Sequence, residues 1–439
     1  MPVRSSALTQ ALQSSSTPTA GEVLGDGTLI DLVGSPSPST RLALIVRRGR
    51  RSIIGRRLLV DGSYYVAADL PPTLLESMYP PERAERYGSA RSLFGGLTAA
   101  FGRLCPLAAR GAQLSAYFAM ATSFADCFPT APCLGVVARD ATSAVQYQRV
   151  LGAVSRHALP LADLQPSAFG RLPRGLRPTL ILSQSLLASG TVRALRASQY
   201  RGFGVLDVAG ISDLCCAKAI VIDEAAPDDL IPVVNLEIYL EPDRTPPVVS
   251  ETELRALAAE FQPRLLDYRL KNHSLVRSST FDVNEFDGAT RETARALGAC
   301  IVGDPELQQG VVEALKGQDE ARRGTQWTTP SSLVVEALLA LCHEPDRTSI
   351  YVGDITEVAN GILAARKETV RLSPRKVGDL LRALSVTSST GRNSNGYSFP
   401  LLNDNRRRIH ELARGFRLLW MRETAGRCEY CAAVLGASD

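Results

Sequence analysis

Apolar positions fall into successive regimes along the chain. Between residues 29 and 67, short runs alternate apolar and polar residues (Leu42, Leu44, Val46) around the turn Arg48-Gly49-Arg50. This predicts a small antiparallel sheet with strands over 29–33, 41–47, 52–60 and 64–67. From Pro71-Pro72 to Phe128 the spacing turns helical. Short continuous apolar runs then follow at 134–137, 179–182, 205–208, 219–222 and 236–240, separated by helical stretches such as 144–155. That alternation predicts a mainly parallel sheet covered on both faces. Beyond a proline-rich linker over 242–247, Ser250 and Glu253 form a capping box. Leu254, Leu257, Ala258, Phe261, Leu265 and Tyr268 then share one helical face. Helical spacing continues to about Gly317, and the polar stretch 318–329 marks a second boundary.

The last hundred residues give the most coherent local pattern. One helix carries Val334, Val335, Leu338, Leu339 and Cys342, and a short strand follows over 349–352. Asp354 and Glu357 resemble a capping box opening a second helix with Ile355, Val358 and Ile362. Ser373-Pro374 is an N-cap followed by proline at the first helical position. In that third helix Val377, Leu380, Leu381 and Leu384 form the buried stripe and Arg375, Lys376, Asp379 and Arg382 stay outside. Turn signals at Gly391 and Asn395-Gly396 make 388–402 a hairpin. A final helix from about Asp404 buries Ile409, Leu412, Ala413 and Phe416 and exposes Arg406, Arg407 and Arg408. Helix, strand, two helices, hairpin and helix is the order of a winged helix-turn-helix, and the basic third helix suits a major groove. Protein docking or a purely structural role are the alternatives.

Charge sharpens this picture. The net charge is only +4, but residues 366–422 hold 13 Lys and Arg against 4 Asp and Glu, leaving that segment at +9 and the rest at −5. An anionic partner for the basic segment follows. A second cluster, Arg47, Arg48, Arg50, Arg51, Arg56 and Arg57, reads first as solvated edge and turn residues. An apolar fraction of 45% and a charged fraction of 21% fit a globular protein of two or three domains. The Ser-, Thr- and Ala-rich first 21 residues lack a signal-peptide core, and the weakly polar run 110–126 is too short to span a bilayer. Nine scattered cysteines fit reduced thiols in the cytoplasm.

The alternating strands pose a nucleotide question. The run Leu134-Gly135-Val136-Val137 leads into Ala138-Arg139-Asp140-Ala141-Thr142-Ser143 and then a helix, which is where a phosphate loop belongs. Such a loop needs glycines that let backbone N–H groups point at phosphates, and a lysine on the β- and γ-phosphates. No lysine occurs before Lys218, and neither register of the motif supplies glycine or lysine. The strand over 179–182 ends in Ser183-Gln184 where metal-binding acids are expected. A later strand ends in Asp223-Glu224, which with Arg139 would serve a weak ATPase. The expectation is a degenerate nucleotide site at Ala138, Arg139, Asp140, Thr142, Ser143, Ser183 and Gln184, with no catalytic residue and no bound ATP or Mg²⁺.

Cys428 and Cys431 have the spacing of half a zinc site, but no second pair lies near them in sequence. No zinc is therefore expected, and an unliganded pair is the simpler reading. The four histidines, His157, His273, His343 and His410, are widely separated, and no nucleophilic triad emerges.

The order of parts from about Ser89 to Leu419 resembles the helicase-type ATPase modules of phage and plasmid primase–helicases, which carry a C-terminal winged helix. The segments Leu265-Leu266-Asp267-Tyr268-Arg269-Leu270, Ala296-Leu297-Gly298-Ala299-Cys300-Ile301-Val302 and Leu372-Ser373-Pro374-Arg375-Lys376-Val377-Gly378 are similar to a bacterial family of degenerate versions of that design. The resemblance implies a degenerate AAA+/helicase-type P-loop fold in a DNA-replication, mobile-element or regulatory context. For intact relatives it implies ATP-driven work on DNA, which the missing lysine, glycines and acid do not carry over.

The expected organisation is a disordered tail (1–21), a small antiparallel β element (22–70), a degenerate P-loop NTPase-like α/β domain (85–248), a helical region (249–325), a winged helix (331–420) and a tail with Cys-x-x-Cys (421–439). The expected function is non-catalytic binding of double-stranded DNA through Arg375, Lys376, Arg382 and Arg392, with Arg406, Arg407 and Arg408 on the backbone. The alternatives are an interaction scaffold, with a protein partner or a second copy of the chain, and a weak ATPase.

Overall fold

Among the described residues seven short strands come first: β1 (Ser16–Thr19), β2 (Gly21–Val23), β3 (Leu29–Gly34), β4 (Leu42–Arg48), β5 (Arg51–Gly55), β6 (Arg57–Val60) and β7 (Ser63–Ala67). The computed structural model describes residues 16–436 apart from 36–41, 166–171, 174, 184–186, 208–209, 223–232, 243, 245–246, 287, 367, 369, 387–390, 394–395, 417 and 419–427. β2 to β5 make one antiparallel sheet, whereas β7 takes β1 in parallel on one edge and β6 on the other. The run expected as one strand over 52–60 is therefore two strands in different sheets. At Gly55 the backbone folds so close over Leu58 that a Cβ would strike its side chain. Of the tail expected over 1–21, residues 16–19 and 21 are instead paired, in β1 and at the start of β2, and residues 1–15 lie outside the described residues. Ser16-Thr17-Pro18-Thr19 has no apolar alternation to announce it, and main-chain pairing with β7 holds it.

Helices α1 (Pro72–Met78), α2 (Ala90–Leu104) and α3 (Ala109–Thr122) lead to the α/β region. There follow β8 (Cys133–Val137), α4 (Ala141–Val154), β9 (Ala158–Leu161), β10 (Thr179–Ser183), α5 (Ser189–Ala197), β11 (Gly204–Asp207), β12 (Gly210–Asp213), β13 (Lys218–Ile222) and β14 (Leu236–Tyr239). A five-stranded, all-parallel sheet has the order β14-β8-β13-β10-β9. The chain is thus of α/β class, with a P-loop-like sheet. Two strand expectations change. The run 205–208 is not in this sheet, since β11 pairs antiparallel with β12. The missing strand is β9, which sequence patterning overlooks because Pro160 interrupts four residues; proline is tolerated there because β9 is an edge.

Both faces of this sheet are covered, and β13 shows how. Ala219 and Val221 join a core with α2, α3 and α4, while Ile220 and Ile222 join Leu32 and Leu44 of the N-terminal strands. Helices α6 (Glu251–Arg277), α7 (Gly288–Ala299) and α8 (Pro305–Thr328) follow, and α6 opens with the expected Ser250–Glu253 capping box. Leu266 and Leu270 of α6 pack with Leu29, Val33, Ala43 and Ile45. The segments 22–70, 85–248 and 249–318 share cores within one compact unit, Met1–Gln318. The division from the second unit, Asp319–Asp439, falls at the start of the polar stretch 318–329, which is helical up to Thr328 as the end of α8.

A buried ionic network ties four segments of the first unit together. Asp31 on β3 and Arg269 on α6 are 1% and 2% exposed. Arg269 donates from Nε to Asp31 Oδ2 (2.7 Å) and from Nη1 and Nη2 to the two carboxylate oxygens of Asp126 (2.6 and 2.7 Å). Arg156 donates from Nη2 to Asp31 Oδ1 at 2.7 Å. His157 lies 3.6 Å from the same oxygen, and His273 Nε2 is 3.1 Å from Asp126 Oδ2. Burial pushes both carboxyls up, but the facing guanidiniums more than offset it and hold Asp31 and Asp126 below the usual carboxylate range.

The second unit contains α9 (Pro330–Cys342), β15 (Ser349–Tyr351), α10 (Val352–Ala365), α11 (Pro374–Ala383), β16 (Gly391–Asn393), β17 (Gly396–Pro400), α12 (Asn403–Gly415) and α13 (Glu429–Gly436). Its strands form an antiparallel sheet of order β15-β17-β16. Leu338, Ile355, Val377, Leu381, Phe399 and Ile409 meet in one core, which also takes in Cys431. Asp354 does not cap α10. The helix begins at Val352, and Asp354, already in its first turn, accepts from Arg347 at 2.9 Å. No helix among the described residues is long and apolar enough to cross a membrane.

Candidate functional site

The carboxyl edge of β8 is where a ligand of an open α/β sheet belongs. Only residues 138–140 connect β8 to α4. Ala138 is buried and its N–H donates to Ile222 O of β13 at 2.9 Å, while Arg139 is exposed. Asp140 is the N-cap of α4, and its carboxylate accepts from Ser143 N (2.7 Å) and Thr142 N (3.3 Å). These bonds, from Ser143 first, lower its pKa. The first-turn N–H groups that would cradle a phosphate are thus already turned onto a negative side chain. Ser183 ends β10, as expected; Gln184, Asp223 and Glu224 lie outside the described residues.

Lys218 does not rescue the site. It begins β13, in register with Cys133 at the start of β8, so it stands at the opposite edge of the sheet from the α4 junction. Its side chain is fully buried, and Nζ donates to the carbonyls of Ser198 (2.9 Å) and Cys216 (2.8 Å). The consequence for Asp140 is testable. Asp140→Ala should lower Tm by about 1–2 °C through loss of the cap, and Asp140→Asn should restore it, since Asn caps equally well. Scanning calorimetry of the three proteins reads this directly, and equal Tm values would remove the capping role.

The second unit carries the basic residues. Ser373 caps α11 by accepting from Lys376 N, with Pro374 at the first helical position, as its sequence predicts. Val377 and Leu381 are fully buried, which leaves Arg375, Lys376 and Arg382 exposed; Arg382 also pairs with Asp379. Arg407 and Arg408 of α12 are exposed, Arg408 lying 3.7 Å from Glu411. Arg406 is a correction. Its guanidinium turns inward and donates to the carbonyls of Cys342 (2.7 Å), Arg347 (2.8 Å) and Leu401 (3.3 Å). The planar fork closes the carboxyl end of α9, a task that exposed carbonyls create and arginine geometry suits. The side chain of Arg392 lies outside the described residues.

A second constellation was only half legible. Cys428 and Cys431 flank the start of α13, and the folded chain brings His343, which ends α9, and His410 of α12 against them. The four donor atoms lie within 4.8 Å of one another. His343 Nε2 and His410 Nε2 are 3.0 Å apart; Cys428 Sγ is 3.4 and 3.2 Å from them, and Cys431 Sγ is 3.4 Å from His343 Nε2. His410 and Cys431 are fully buried, His343 and Cys428 half-buried. The reading of Cys428 and Cys431 as a pair without partners is therefore corrected: histidines 85 and 18 residues upstream of Cys428 complete a tetrad. The signal available in sequence was His410 beside Ile409 on an otherwise apolar stripe. A cavity of about 540 Å³ opens beside the tetrad, lined in part by Glu344, Asn403, Arg406 and Tyr430.

One other cluster of ligand-type side chains, Asp126, Cys127 and His273, occurs among the described residues. Both oxygens of Asp126 already accept from the Arg269 guanidinium, so its charge is compensated without a metal ion.

No family model matches the chain, and no curated protein matches it. Among solved structures it is similar to the apo C-terminal region (305–718) of NrS-1, with 8% identity over 84% of this chain and 96% of that one at a TM-score of 0.33. Cdc6p from Pyrobaculum aerophilum shares 14% identity over 77% and 98% of the two chains at a TM-score of 0.21. ORC from Drosophila, bound to DNA, shares 12% identity over 79% and 94% at 0.18. All three are loose likenesses.

Proposed function

We propose that this protein binds double-stranded DNA through a winged helix-turn-helix in its second unit, and that its P-loop-like unit does not turn over ATP. The observation that carries the reading is the first turn of α11: Arg375 and Lys376 are exposed there while Val377 and Leu381 anchor the helix to the core. In this reading α10 and α11 are the helix-turn-helix, β16 and β17 the wing, and the amino end of α11 enters the major groove. The positive end of the helix dipole adds to the attraction for phosphate. Arg382, Arg407 and Arg408 flank as backbone contacts, and Arg406 takes no part because its donors are spent on carbonyls. Asp140, occupying the amino end of α4, supports the absence of turnover.

Fluorescence anisotropy with a labelled duplex tests both halves. With about five phosphates neutralised, affinity should fall roughly 10²- to 10³-fold between 50 and 200 mM salt. Arg375→Ala with Lys376→Ala should weaken binding at every salt concentration and reduce the slope by about 1–2. Addition of ATP and Mg²⁺ should leave the curve unchanged and release no phosphate. Salt-independent or absent binding by the full chain defeats the DNA half; phosphate release that disappears in Asp223→Ala defeats the other.

A further inference from the structure

We propose that His343, His410, Cys428 and Cys431 bind one zinc ion, which fastens α13 to α9 and α12. The donor set decides the metal: two thiolates and two imidazoles in a four-fold arrangement select zinc over the hard cations that prefer oxygen. Distances agree. With Zn–N near 2.0–2.1 Å and Zn–S near 2.3 Å, a tetrahedron has N···N edges of roughly 3.3 Å and N···S edges of roughly 3.6 Å. The observed edges, 3.0 Å between the imidazole nitrogens and 3.2–3.4 Å from nitrogen to sulfur, lie within a few tenths of an ångström of these.

Local bonding prepares the ligands. His410 Nδ1 donates to Arg406 O at 2.7 Å, so in the neutral ring Nε2 is a bare lone pair aimed at the other three donors. Cys431 N–H donates to Cys428 Sγ at 3.2 Å, a bond that suits a thiolate. Binding releases two thiol protons to solvent, and the two thiolates neutralise the ion's charge. Four protein ligands leave no open position, which makes the ion structural rather than catalytic. There is work for it to do. α13 has only eight residues, too few to persist as a helix on its own. Sixty-seven residues separate the histidines, so the site closes only after α9 and α12 have packed.

The test uses the full chain, purified under reductant without metal-affinity chromatography. Elemental mass spectrometry should find one zinc per chain. Cys428→Ser with Cys431→Ser should carry at least about tenfold less, while Cys127→Ser, at the other ligand-type cluster, should retain it. A second measurement does not depend on the variants folding. Wild-type protein stripped by a chelator and titrated with Co²⁺ should develop the strong visible absorption of tetrahedral cobalt with thiolate ligands, reaching its end point at one equivalent. Absence of zinc together with absence of that absorption overturns the proposal, as does full zinc content in the double-serine variant.

Discussion

Arg269→Ala should cost the first unit about 3–5 kcal/mol, a large share of the roughly 5–15 kcal/mol that holds a typical domain together. The reason is what the substitution leaves behind rather than what it removes. Asp31 is 1% exposed and the Asp126 side chain 10%, and each loses a partner at 2.6–2.7 Å. Arg156 remains on Asp31, but Asp126 keeps only His273. An uncompensated buried carboxylate is among the costliest defects a core can carry. Arg255, on the same helix, is the contrast: it pairs with Glu251, but the side chains are 62% and 51% exposed, and Arg255→Ala should cost less than about 1 kcal/mol. Urea unfolding of the two variants reads the difference. A cost at position 269 no larger than at 255 would show that the network contributes nothing special.

Acid should loosen the same unit in two stages. His157 is fully buried, and burial first, then the neighbouring Arg156, lowers its pKa to about 3. Between about pH 6.5 and 3 the unfolded chain therefore holds a proton there that the folded chain does not, and stability must fall as pH falls. The slope approaches about 1.4 kcal/mol per pH unit for one such proton. Asp31 and Asp126 have depressed values, so their contribution is complete above the ordinary carboxylate range and is lost below about pH 4. All three groups push the same way. His157 has a positive φ of 47°, so His157→Asn is the substitution that keeps the backbone while removing the titration. Denaturant midpoints should fall from pH 7 to pH 5 in the wild type and stay nearly level in His157→Asn. Equal midpoints in the wild type at those two values would refute the first stage.

Patterning made the parallel sheet legible because strands buried on both faces, such as β8, β10 and β13, read as continuous apolar runs. It failed where local chemistry and tertiary role part company. β9 is broken by Pro160 and tolerated only because it is an edge; β11 looks like a core strand and instead forms a hairpin with β12. Capping signals at Ser250 and Ser373 transferred intact, being interactions within three residues. The tetrad did not. Cys428 and Cys431 announce themselves by spacing, whereas His343 and His410 join them only through the packing of helices. Arg406 shows the same limit on a smaller scale, since nothing in Arg406-Arg407-Arg408 says which guanidinium faces inward.

The ionic network also dictates an order of events during synthesis. Asp31 leaves the ribosome 238 residues ahead of Arg269. A nascent chain that has already exposed every strand of the parallel sheet has Arg156 for Asp31 but still lacks Arg269 and the Leu266 and Leu270 side chains that cover β3 and β4. One face of the amino-terminal sheet therefore stays uncovered until α6 emerges. Fragments cut anywhere before α6 inherit the same unfinished state.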